Sequence, residues 1–202
     1  MLQKSMQRQK ALVVVSLLVL IAMTYGVYRV MAAGTNHKFI GTMIDNPKPV
    51  DGVELVRADG NTVTFPGTWQ GKTLLVFFGY ANCPDVCPLT MAELAKIYRD
   101  LGEPQDLQVV MVTVDPSRDT PERIGQYVEG FHPGFVGLSG EPVAIAKAAS
   151  AFYATSLAQA DGTVAHNSHV TLVDRQGHMR LIYNQDNVPK MTEDLQYIGV
   201  HP

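Results

Sequence analysis

Cys83 and Cys87 are the only thiols in a chain of 202 residues, and they stand four apart in the segment FFGYANCPDVCPLT. A thiolate is both a nucleophile and a soft metal ligand, so two neighbouring thiols serve disulfide exchange or metal binding. Ahead of them, residues 74–79 (LLVFFG) form a continuous apolar run of the length expected of a strand buried on both faces. Behind them Pro88 opens LTMAELAKIYRDL, with Leu89, Ala92, Ile97 and Leu101 on a helical period and Gly102 after it. The pair therefore lies between a buried strand and a helix start, where α/β folds build their sites. A helix N-terminus favours the thiolate, and an i, i+4 spacing puts both sulfurs on one side of a helical turn.

A stapling disulfide is the plainer role for two cysteines in an exported domain. A bridge closing about five residues stabilises by only ~2 kcal/mol in the chain-entropy model, against ~4.7 kcal/mol for a 100-residue loop. A staple placed here gains little, so chemistry is the stronger expectation.

The rest of the domain supplies the frame. Residues 53–56 and 62–65, flanking Asp59-Gly60, read as a hairpin. Residues 107–114 are a second apolar strand, and Asp119-Thr120-Pro121-Glu122 has the cap, proline and acids of a helix start. A short strand at 135–138, an alanine-rich helix at 142–152, a closing hairpin of 170–174 with 179–183, and a helix near 190–197 follow. Buried strands alternating with helices call for a layered α/β sandwich with an antiparallel hairpin appended. The order suits a thioredoxin-like fold preceded by an N-terminal hairpin.

Composition narrows the function classes. With 46% hydrophobic and 17% charged residues the chain is an ordinary folded one. Its net charge of −3 offers no basic excess for nucleic acid. Two cysteines are too few for a disulfide-dense scaffold or a four-cysteine zinc site. The first 33 residues hold Lys4, Arg8, Lys10 and Arg29 and no acid, so the remainder carries the acidic excess.

No charge interrupts residues 11–28, and as a helix these 18 residues span roughly 27 Å, enough for a bilayer core about 30 Å thick. The basic residues ahead of the run keep the N-terminus in the cytoplasm, and Tyr25, Tyr28 and Arg29 suit the far interface. The expected organisation is a cytoplasmic tip and transmembrane helix over 1–33, a linker and irregular lead-in over 34–52, and the thioredoxin-like domain over 53–202. The other reading of the segment is a signal peptide cleaved near Val30-Met31-Ala32. Either way the domain is exported, and a retained anchor makes the chain a single-pass inner-membrane protein with its domain in the periplasm.

At this point a resemblance becomes specific. GYANCPDVCP, from Gly79 to Pro88, resembles the signature of the Sco/SenC family, membrane-tethered proteins of the respiratory copper pathway. Gly71-Lys72 before the strand, VDPSRDTPE from Val114 to Glu122, FVGLSG from Phe135 to Gly140 and VAHNS from Val164 to Ser168 are similar to further family blocks in the right order. Together they cover roughly residues 38 to 185.

The resemblance implies one copper ion, Cu(I) or Cu(II), held by Cys83, Cys87 and a histidine. Counted back from Leu172-Val173-Asp174, the family's histidine falls on His166. His169 stands where the family usually has an apolar or aromatic residue, so it reads as a strand-edge group. Family members help to assemble the binuclear copper (CuA) site in subunit II of cytochrome c oxidase, as copper donors, as reductants of its cysteines, or both. Two thiolates and an imidazole form a soft, low-coordinate set that suits Cu(I). Asp85, between the cysteines, reads as a helix-start acid; Asp115 and Asp119 read as loop-shaping and capping residues.

Three functions compete on these residues. A metallochaperone requires His166, whereas a periplasmic thiol–disulfide oxidoreductase cycles Cys83 and Cys87 as a redox pair and tolerates loss of His166. Its substrates would be the CuA cysteines or other periplasmic thiol or copper proteins. Thioredoxins use Cys-x-x-Cys, and the three intervening residues here weaken that reading. A thiol peroxidase ranks last: peroxiredoxins usually place threonine three residues before the reactive cysteine, and this chain has Tyr80.

Overall fold

The computed structural model describes residues 2–33, 37–47, 49–158, 164–166 and 168–200, with the side chains of 2–9, 11, 30–33, 156–158 and 164–166 outside that description. The chain divides into two units, Met1–Lys38 and Phe39–Pro202.

The first unit is helix α1 (Leu2–Ala33). Its stretch Leu12–Arg29 is long and apolar enough to cross a membrane. The two aliphatic hydroxyls within the stretch turn back on the helix itself: Ser16 donates to the Leu12 carbonyl at 2.8 Å and Thr24 to the Leu20 carbonyl at 3.0 Å. Such back-bonding satisfies a hydroxyl where no water is at hand.

The second unit is built on an eight-stranded sheet. Its strands are β1 (Thr42–Met43), β2 (Val53–Arg57), β3 (Thr62–Phe65), β4 (Thr73–Gly79), β5 (Leu107–Thr113), β6 (Val136–Ser139), β9 (Val170–Val173) and β10 (Met179–Tyr183), with β7 (Ser156–Ala158) and β8 (Val164–His166) forming a separate pair. The spatial order is β1-β10-β9-β4-β5-β6-β2-β3. At its centre β4, β5 and β6 run parallel, joined through α2 (Val86–Asp100) and α3 (Pro121–Glu129). Antiparallel strands complete both sides.

All seven residues of β4 are buried, so its alternation feeds two cores. Leu75 and Phe77 join Met91, Leu94 and Ile97 of α2, Val128 of α3, and Leu195 of α5 (Thr192–Tyr197). Leu74, Val76 and Phe78 face the other way, toward Ile145 and Ala148 of α4 (Pro142–Ala151) and the ring of Phe152. A sheet covered on both faces is what a continuous apolar run requires.

The segment entering this unit is docked through a buried carboxylate. Asp194, 0% exposed, accepts the N–H groups of Ile40 at 3.0 Å and Gly41 at 3.1 Å and the hydroxyl of Tyr183 at 2.9 Å. Within the stretch expected to be irregular, β1 pairs Thr42 with Ile182 and Met43 with Leu181.

Two local expectations change, and one pair of strands is added. Helix α2 begins at Val86 rather than after Pro88, which sits inside the first turn. Proline is tolerated there because the first N–H groups of a helix have no partner within it. The cap of α3 is Thr120, whose hydroxyl accepts from the Arg123 N–H at 3.3 Å, so Asp119 is left for another task. The segment around residue 164 forms a strand pairing Ser156 with His166, a hairpin too short to show a period.

Candidate metal and thiol-exchange site

Strand β4 ends at Gly79 and α2 starts at Val86, so the sequence between them must turn sharply at the sheet's C-terminal edge. Cys83 lies in that turn, before the helix, and Cys87 lies in the helix's first turn. The sulfurs are therefore not two steps on one helical face, as the spacing alone predicts. They meet because the turn folds Cys83 back over the helix N-terminus, where the Cys87 N–H donates to the Cys83 Sγ at 3.4 Å. Neither cysteine is in a disulfide.

The two sulfurs have opposite surroundings. Cys83 is half-buried, and burial by itself raises its pKa. The N–H of Asp85, the Cys87 thiol and the N–H groups of Cys87 and Val86 outweigh that, and the net pKa falls below the ordinary thiol value. Cys87 is 0% exposed, and its pKa is pushed well up, first by burial, then by the Cys83 thiol and the charges of Cys83 and Asp119. One thiol is accessible and ionises readily; the other is enclosed and holds its proton.

Enclosure of Cys87 depends on a glycine. A Cβ at Gly79 would come within 2.9 Å of the Cys87 Sγ and 2.8 Å of the Met111 side chain. Asp85 occupies the helix cap position, yet its carboxylate makes no capping hydrogen bond, and its backbone N–H serves Cys83 instead.

Asp119 and Arg123 hold the turn from the far side. The Asp119 carboxylate, 1% exposed, accepts the Ala81 N–H at 2.9 Å and the Thr113 hydroxyl at 2.8 Å, and lies 3.5 Å from the Arg123 guanidinium. Arg123 in turn donates to the Asn82 side chain at 2.6 Å. Sequence reasoning gave Asp119 a capping role; the tie to Ala81 could be read only from the placement of its segment beside a second strand end. Asp115 shapes its own loop, accepting from Ser117 at 2.7 Å and pairing with Arg118.

The expected third ligand, His166, ends β8, and its side chain is outside the described residues. His169 is half-buried, with a ring nitrogen 3.1 Å from the Phe152 carbonyl, and burial lowers its pKa. Among the described residues no cluster of three His, Cys, Asp or Glu side chains is preassembled. His132 and His178 are engaged with Glu103 and Asp174, each at 3.4 Å.

The profile of the family described as SCO1/SenC matches residues 45–198. A protein of Stutzerimonas stutzeri named for copper binding is 32% identical over 59% of this chain and 60% of its own length. The solution structure of apo Sco1 from Thermus thermophilus superposes with a TM-score of 0.71 at 36% identity, covering 81% of this chain and 99% of that one. Arabidopsis thaliana ScoI, solved with copper bound, gives 0.69 at 29% identity over 75% of this chain and 98% of that one. The fold is accordingly thioredoxin-like, with one N-terminal apolar helix ahead of it. By the match over residues 45–198, the chain belongs to the SCO1/SenC family.

Proposed function

We propose that the chain is a membrane-anchored copper chaperone that binds one copper ion through Cys83, Cys87 and His166 and assists assembly of the CuA site in subunit II of cytochrome c oxidase. The observation that carries this reading is the pair of reduced cysteines brought together at the start of α2, one of them in a nest of N–H groups that favours its thiolate. Sulfur donors suit a soft monovalent ion, and relatives with copper bound share the fold. Copper is the cargo. The chain's own task is to present two sulfurs at fixed separation, with Asp119 and Arg123 holding the turn that carries them. Lys4, Arg8 and Lys10 ahead of the apolar stretch favour a cytoplasmic N-terminus and a periplasmic domain.

A second reading, thiol–disulfide exchange on the CuA cysteines or on other exported thiols, draws support from the contrast between the sulfurs. An accessible, readily ionised thiol beside an enclosed, protonated one is the arrangement of an attacking and a resolving cysteine.

The discriminating experiment titrates the reduced full chain in detergent with Cu(I), comparing wild type with His166→Ala. One copper per chain, with affinity at least tenfold lower in the variant, supports the chaperone, because one of three ligands is removed. Unchanged binding removes His166 from the ligand set and favours the exchange reading.

A further inference from the structure

Helix α1 ends at Ala33 and the second unit begins at Phe39, so only the five residues 34–38 run between the apolar helix and the domain. Five residues of chain, whatever their conformation, reach about 18 Å at most. The sequence suggests a linker and irregular lead-in over 34–52, yet from Phe39 onward this stretch is held by the domain. The Phe39 ring meets Tyr197 edge-on at 5.6 Å, and Asp194 takes the N–H groups of Ile40 and Gly41. Asn187 donates to the Ile40 carbonyl at 3.3 Å, and the Ile44 N–H donates to the Arg180 carbonyl at 3.0 Å. Gly41 belongs to this clasp through its lack of a side chain, since a Cβ there would stand 2.8 Å from the Tyr183 ring.

The position of the clasp follows from strand register. Gly41 precedes Thr42, which pairs with Ile182, so it stands level with Tyr183. Tyr183 pairs with Val170, and Val170 with Phe77. Phe77 is two residues short of Gly79, where β4 gives way to the cysteine turn. Three strand spacings of about 4.8 Å across and two residues of about 3.3 Å along put Gly41 about 16 Å from Gly79. Cys83 is kept close to that point, its N–H donating to the Tyr80 carbonyl at 3.2 Å. The chain thus joins the domain at the same sheet edge that carries the sulfurs. Attachment at the other end of β10, beside Met179, would have added the length of a strand.

We propose that the Asp194 clasp is a device for reach: it brings the leash in at the thiol edge, so that Cys83 works close to the bilayer surface on a recipient held in the same membrane. This rests on the anchored two-thiol reading above and adds the place where exchange occurs. A short leash raises the effective concentration of Cys83 at the surface, and a freely diffusing carrier gains nothing from it. A clasp that served stability alone would do so equally well at either end of the strand.

The test uses the reduced full chain in phosphatidylcholine vesicles doped with phosphatidylethanolamine whose headgroup carries a maleimide. Alkylation of Cys83 by the lipid is followed by peptide mass analysis, with N-ethylmaleimide as the soluble comparison. A flexible Gly-Ser insertion of about twenty residues between Thr35 and Asn36 lengthens the leash and leaves clasp and site intact. Effective concentration falls as the −3/2 power of leash length, so lipid capture should slow about tenfold while the N-ethylmaleimide rate holds. In the wild-type chain, amide hydrogen exchange over residues 39–43 should be slowed as it is in β4.

Lipid capture that quickens with the longer leash overturns the proposal, because the sulfurs then stand at the far edge. An unchanged rate overturns it too, because the leash then sets no limit on reach. Amides at 39–43 that exchange as freely as an unstructured chain overturn the clasp. A chain that fails to float with the vesicles overturns the anchor and the leash together. A wild-type chain that binds no Cu(I) overturns the chaperone reading and leaves the reach of Cys83 as measured.

Discussion

The carboxylate of Asp119 accepts the amide N–H of Ala81 at 2.9 Å across 38 residues of sequence. One residue follows the strand that leads to the cysteines; the other precedes the helix that flanks them. The bond fixes the first half of the turn that delivers Cys83, and the negative charge it brings also reaches Cys87.

Asp119→Asn therefore has two expected effects. Stability should fall by about 1–2 kcal/mol, because the hydrogen bonds from the Ala81 N–H and the Thr113 hydroxyl lose their charged acceptor and the half-exposed Arg123 loses its carboxylate. A urea midpoint on the full chain in detergent measures that loss. Removing the negative charge also eases ionisation of Cys87, so its alkylation should begin at lower pH than in wild type. An unshifted Cys87 midpoint would refute the electrostatic contact.

The contrast between the thiols predicts an order of reaction. Cys83 ionises more readily than an ordinary thiol, and only the thiolate is nucleophilic. Lowering the pH from 9 to 7 should therefore slow its alkylation less than that of a free cysteine peptide, whose pKa is about 8.5. A short iodoacetamide pulse followed by peptide mass analysis should label Cys83 first and Cys87 hardly at all. Equal labelling at neutral pH would contradict the enclosure of Cys87.

Gly79→Ala tests the packing behind Cys87. The new methyl group would have to displace the sulfur, the Met111 side chain or the Phe77 ring, each closer than 3.0 Å. Overpacking of this kind costs about 1–3 kcal/mol. Metal affinity should fall along with the urea midpoint, because the displaced sulfur is a proposed ligand. A variant as stable as wild type, with unaltered Cys87 reactivity, would show that the sulfur has room to move.

His169 gives a pH-dependent prediction. Burial lowers its pKa from the ordinary value near 6.5, so the unfolded chain binds this proton more readily than the folded one. Its contribution is undiminished above pH 6.5 and is lost as the pH falls toward the lowered folded value. The stability difference between wild type and His169→Gln should shrink over that acidic window and stay constant above it, read from urea midpoints at each pH. Copper affinity should be unchanged, since the ring is committed to the Phe152 carbonyl.

Much of this was legible in the residues, for physical reasons. The strand at 74–79 could be read because burial on both faces demands an unbroken apolar run, and β4 is buried throughout. The cysteine pair could be placed at a strand-to-helix junction because Pro88 and the period after it mark a helix start. The sulfur geometry was not legible: i, i+4 arithmetic presumes a helix under both residues, and the helix begins at Val86. Asp119 was misread because a buried carboxylate and a capping one look alike beside Thr-Pro; only the tertiary contact separates them.

The contrast in exposure also bears on how the proposed cargo would travel. One sulfur is half-buried and its neighbour is walled in behind Gly79, so the two cannot be approached equally. If the two sulfurs bind an ion as proposed, it would be caught at Cys83 before being shared with Cys87, and on leaving it would let go of Cys87 first. On that proposal handover would be single-file, one bond exchanged at a time, and a recipient would need to offer only a lone thiolate to begin it.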